Sequence, residues 1–81
     1  MENRMSIVEL VAQVLKIDSE EVLKFDEEKS LKELGVTSLK AMELIVLIET
    51  KLGVGLDDED LELEKIDTIK ELCVLYNKYK Q

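Results

Sequence analysis

The sequence has no histidine, no proline, one cysteine and only three glycines among its 81 residues. Without histidine the commonest general base and metal ligand is missing, which excludes serine-histidine and cysteine-histidine catalysis. A hydrolase built on a serine of this chain would have neither base nor partner residues. The lone Cys73 rules out a disulfide scaffold and a cysteine zinc site. Its place on the apolar side of a helical pattern makes it a small core hydrophobe. No apolar run is long enough to span a bilayer, and Met1-Glu2-Asn3-Arg4 lacks the apolar core of a signal peptide, so a cytoplasmic location is expected. With no proline, and with Gly35, Gly53 and Gly55 as the only punctuation, the chain reads as mostly helical.

What is present fits one small domain over residues 1–81, and 46% hydrophobic residues suffice for a packed core near the lower size limit. Nineteen acidic against eleven basic residues leave a net charge of -8, which repels nucleic-acid backbones and anionic membranes. That field favours encounter with proteins presenting Lys/Arg patches, speeding association more than tightening it. A monomer is the default state.

The apolar spacing sets out the elements. Ile7, Leu10, Val11 and Val14, with Leu15, share one face of a first amphipathic helix. Ser6 and Glu9 match a capping box for its start, with a start nearer Asn3 as the alternative. From Asp18 to Thr37 the pattern breaks into a long connection anchored by Val22, Leu23, Phe25, Leu31 and Leu34. Loops this long in a small domain are often functional. Ser30 and Glu33 make a second capping-box match, so a short helical turn should close the connection before Gly35. A second long helix is expected from Ser38 to about Leu52, stopped by Gly53. The acidic stretch from Leu56 to Glu64 reads as loop plus a short helix. Thr68 and Glu71 open a last helix in which Ile69, Leu72, Cys73 and Tyr76 share a face, with Lys78 and Lys80 suited to its negative end.

The acidic stretch lacks the glycine-centred spacing of a calcium loop, so it reads as a solvated face, and no metal ligand or catalytic residue is assigned. The second long helix says more. Ala41, Leu44, Ile45, Ile48 and Leu52 form one seam, enough to pack it, yet Leu39, Met42 and Val46 cluster on nearly the opposite side. Either the acidic short helix or the long connection covers these three, or they are left out for a partner. Glu43 and Glu49 border them. Ser38 sits at the start of the same helix, where a plain N-cap serine is the simplest reading. A phosphate ester on its hydroxyl would also be favoured there by the helix dipole.

Gly35-Val36-Thr37-Ser38-Leu39 followed by Met42-Glu43-Leu44 resembles the attachment motif of acyl and peptidyl carrier proteins, whose usual form is glycine, any residue, aspartate, serine, leucine. The likeness covers nearly the whole chain. It implies an all-α fold, a small four-helix bundle of three long helices plus one short third helix. It implies a 4'-phosphopantetheine arm on Ser38, transferred from coenzyme A by a phosphopantetheinyl transferase that uses magnesium, with acyl or aminoacyl cargo held as a thioester on the arm's thiol. Such a carrier catalyses nothing and serves loading, condensing and tailoring enzymes with basic docking surfaces. By the same resemblance Thr37, Leu39, Met42, Glu43, Val46 and Glu49 form the docking face. Thr37 stands where most relatives have aspartate, and Lys40 where fatty-acid carriers usually have an acid. With Gly53-Val54-Gly55-Leu56, these departures favour a free-standing carrier of polyketide or nonribosomal-peptide assembly over one of fatty-acid synthesis. The alternative from another class is an unmodified interaction module that keeps the fold, and a mass shift on Ser38 separates the two.

Overall fold

The computed structural model describes residues 2–62 and 66–80. In chain order the α-helices among them are α1 (Glu2–Leu15), α2 (Ser19–Lys24), α3 (Ser38–Leu52) and α4 (Ile69–Tyr79), with single 3-10 turns at Leu31–Leu34 and Asp58–Leu61. No strand occurs among the described residues, and the all-α four-helix class expected from the sequence is the one adopted.

Helix α1 is the centre of the bundle, packing against α2, α3 and α4. A helix touched on three sides buries more than one stripe, so Val8 and Ala12 join Ile7, Leu10, Val11 and Val14 in the core. It begins at Glu2, so Ser6 and Glu9 lie within the helix and do not form a capping box at its start. Arg4 and Met5 are good helix formers, and nothing before Ser6 stops the helix from extending. Its end is sharp: Lys16 turns left-handed at φ 59° and Ile17 N–H donates to the Ala12 carbonyl at 3.1 Å.

The connection expected from Asp18 to Thr37 holds a helix of its own, α2. Its six residues are too few to display a helical repeat, but Glu20 and Glu21 in the first turn and Lys24 in the last suit its dipole. Val22 is buried, and Leu23 and Phe25 pack partly against the core. The short α-helix therefore lies between the first two long ones.

The expected seam of α3 holds. Ala41, Leu44, Ile45 and Ile48 are buried and Leu52 is partly so. Gly53, at φ 72°, closes the helix by donating its N–H to the Glu49 carbonyl at 2.8 Å. The expected cap of α4 also forms, with Thr68 Oγ1 accepting Glu71 N–H at 3.1 Å, and Ile69, Leu72, Leu75 and Tyr76 are buried behind it.

The acidic stretch differs from a uniformly solvated face. Asp58 and Glu59 are exposed, but Asp60 is buried and is held by the end of α4. Lys78 Nζ donates to both of its carboxylate oxygens, at 3.1 and 3.0 Å, and the Tyr79 hydroxyl donates to the second. Tyr79 in turn accepts Asp57 N–H at 3.2 Å, so one tyrosine holds both the residue that caps the 3-10 turn and Asp60 within it. A buried carboxylate is tolerated because these donors replace its lost hydration. Lys78 thus does more than suit the helix dipole. Residues 63 and 64 of the stretch lie outside the described residues.

Candidate functional site

The site is assembled from the turn that precedes α3. Ser30 Oγ accepts Lys32 N–H at 3.2 Å and donates to Asp67 Oδ1 at 2.9 Å, while Leu31 N–H donates to the Asp67 carbonyl at 2.6 Å. The Leu31–Leu34 turn is thereby pinned to the segment leading into α4. Gly35 ends it at φ 113°, a conformation that L-residues rarely adopt. The reversal turns Val36 into the core, with its N–H on the Leu31 carbonyl at 3.0 Å, and leaves Thr37 exposed and extended at the head of α3.

Thr37 is the N-cap. Its Oγ1 accepts Lys40 N–H at 3.2 Å and its carbonyl accepts Ala41 N–H at 2.8 Å. Ser38 is therefore the first residue of the helix and not its cap, which corrects the simplest sequence reading. Its side chain is exposed, with no hydrogen-bond partner among the described residues. The first turn of α3 carries no acidic residue. The opening N–H groups of a helix have no intrahelical acceptor, and with Thr37 satisfying Lys40 those of Ser38 and Leu39 remain. A narrow recess beside Ser38 has Leu31, Val36, Ala41 and Ile66 in its walls, with Lys32 and Asp67 at its edge.

The outer face of α3 is uncovered by the rest of the chain's described residues. Leu39 is 69% exposed, Met42 52% and Val46 56%, so neither the acidic turn nor the connection folds over them. The two glutamates beside them are occupied within the chain. Glu43 lies 3.8 Å from Lys40 Nζ, and half-buried Glu49 accepts Leu56 N–H at 2.8 Å, tying down the loop after Gly53. No local pattern signals that tie or the Asp60 clamp, because the partners lie 7 and 18 or 19 positions apart.

Cys73 is half-buried at the edge of the core. Burial, and then the nearby Glu27 carboxylate, push its thiol above the ordinary value, which keeps it protonated and poorly nucleophilic.

Compared with known proteins, the sequence matches the family model described as "Phosphopantetheine attachment site" over residues 6–74, a span that includes Ser38. It is 38% identical over 68 residues to an acyl carrier protein homolog of Ureaplasma parvum serovar 3, covering 84% of this chain and 86% of that protein. No solved structure gives a significant match.

Proposed function

The chain belongs to the phosphopantetheine-attachment family of carrier proteins, and we propose that Ser38 is the residue that bears its 4'-phosphopantetheine arm. The observation that carries this reading is the state of the Ser38 hydroxyl, exposed at the start of α3 and released from capping by Thr37. The surroundings fit a phosphodiester. No first-turn carboxylate repels it, Lys40 lies in that turn, and the free N–H groups and dipole of α3 favour negative charge. When attached, the arm supplies a terminal thiol on which acyl or aminoacyl cargo is carried as a thioester.

The chain's own part is to present and not to activate. No carboxylate is hydrogen-bonded to the Ser38 hydroxyl among the described residues, and the sequence holds no histidine to take its proton. Activation falls to the phosphopantetheinyl transferase and its magnesium. The rigid Gly35 turn, pinned through Asp67, holds the hydroxyl at one place for successive enzymes, which dock on the uncovered α3 face beside it. Thr37 in place of aspartate, Lys40 in place of an acid, and the Gly53-Val54-Gly55-Leu56 loop support a role in polyketide or nonribosomal-peptide assembly ahead of fatty-acid synthesis.

Intact-protein mass spectrometry after incubation with coenzyme A, magnesium and a broad-specificity transferase tests the proposal. The parent should gain one phosphopantetheine and Ser38→Ala none. No gain on a folded parent, with several transferases tried, would leave an unmodified interaction module.

A further inference from the structure

Resting on the carrier reading of Ser38, we propose that Lys32 is the counter-ion of the arm's phosphodiester and sets the side of Ser38 on which the arm leaves the protein. Lys32 belongs to the Leu31–Leu34 turn and Ser38 to α3, and the left-handed Gly35 between them reverses the chain so that both border the recess beside Ser38. The backbone of Lys32 is fixed on both sides, its N–H donating to Ser30 Oγ at 3.2 Å and its carbonyl accepting Gly35 N–H at 3.2 Å. Its side chain is not committed: Lys32 is exposed and enters no ion pair among the described residues.

The helix decides between Lys32 and Lys40, the other lysine close to Ser38 in the sequence. At about 100° per residue Lys40 stands ~200° round α3 from Ser38, whereas Ala41 stands only ~60° from it. The recess follows that geometry, since Ser38 and Ala41 border it and Lys40 does not. Lys40 Nζ lies instead 3.8 Å from Glu43. A phosphate on the Ser38 oxygen at the recess therefore has Lys32 as its facing cation.

Asp67 adds to the bias. Among the described residues it is the carboxylate that borders the recess, its Oδ1 holds the Ser30 hydroxyl at 2.9 Å, and its charge repels a second anion toward Lys32. The arm then starts on the Ala41 side of Ser38. Leu39 and Met42 lie on the other side of Ser38 round the helix and stay clear of its first atoms.

An exposed ion pair is weak, so the effect is a bias in reactivity and not a lock. The test compares acetylation rates of individual lysines in the unloaded and the loaded parent, read by peptide-level mass spectrometry with the arm's thiol capped beforehand. Only a neutral amine attacks the reagent, and a lysine held as an ammonium by phosphate reacts more slowly. At about 50 mM sodium chloride, loading should slow Lys32 by roughly two- to fivefold and leave Lys40 and Lys51 nearly unchanged. At about 500 mM, where exposed charges are screened, the protection should disappear. The phosphorus NMR resonance of the loaded protein should move in Lys32→Gln and stay near the parent's in Lys32→Arg, which keeps the charge. Equal labelling of Lys32 with and without the arm overturns the proposal, and so does protection of Lys40 as large as that of Lys32. Protection that persists at high salt also overturns it, because the arm would then only cover Lys32, as does a phosphorus resonance indifferent to Lys32→Gln. In each of these cases the carrier reading stands, because the parent bears the arm. A parent that gains no arm at all sinks the carrier reading, and the proposal falls with it.

Discussion

Thr37 Oγ1 accepts the backbone N–H of Lys40 at 3.2 Å, so the hydroxyl next to Ser38 caps the helix and Ser38 is left free. The neighbouring hydroxyls have divided two tasks that either could perform. Threonine at this place keeps the capping acceptor while dropping the charge of the aspartate common in such motifs.

The two hydroxyls should therefore separate in stability. Thr37→Ala is expected to cost about 1 kcal/mol, the usual loss for an N-cap. Ser38→Ala should stay within about 0.5 kcal/mol of the parent, as an exposed position without partners does. Urea unfolding of both variants decides it, and a larger loss for Ser38→Ala would move the cap to Ser38.

The two faces of α3 should separate as well. Leu44 and Ile48 are fully enclosed, and truncating either to alanine should cost roughly 2 to 5 kcal/mol. Against a total stability of order 5 kcal/mol for so small a domain, that is enough to unfold much of the population. Met42→Glu, on the exposed face, should leave the urea midpoint nearly unchanged while slowing transfer with partner enzymes. Equal losses of helicity from Met42→Glu and Leu44→Ala would place Met42 in the core.

Alkaline pH should open the clamp at the end of α4. The hydrogen bond to Asp60 is the main reason that Lys78 and Tyr79 both hold their protons above the ordinary values of 10.5 and 10.0. Each group binds its proton more tightly folded than unfolded. The clamp's stabilisation is thus complete below pH 10.0 and declines as pH rises past 10.5 through the raised values. Urea midpoints measured from about pH 8 to about pH 12 should fall more steeply for the parent than for Tyr79→Phe, which has no hydroxyl to titrate. Parallel curves would show that the Tyr79 hydroxyl contributes nothing to the decline.

Features with local causes were readable in the sequence. The α3 seam, the glycines at 35 and 53 and the Thr68 cap each depend on residues within a turn or two of one another, and all appear as expected. Helix α2 is not legible in the sequence because six residues show no period, and its stability comes from burying Val22 as it packs against α1. The sequence does not distinguish Thr37 from Ser38 as the cap because both carry a hydroxyl; in the structure Thr37 follows the left-handed Gly35 turn in extended conformation and takes the role. The exposure of Leu39, Met42 and Val46 was open on spacing alone, since that depends on where other segments pass. In the sequence Asp60 and Glu49 look like surface acids, because their partners are brought to them only by the fold.

The most direct measurement is peptide-level mass spectrometry of the loaded protein across Thr37-Ser38-Leu39, where two adjacent hydroxyls compete for the same arm. The phosphopantetheine mass should fall on Ser38 and not on Thr37, whose hydroxyl accepts the Lys40 N–H. Label on Thr37, or on any residue other than Ser38, would contradict it.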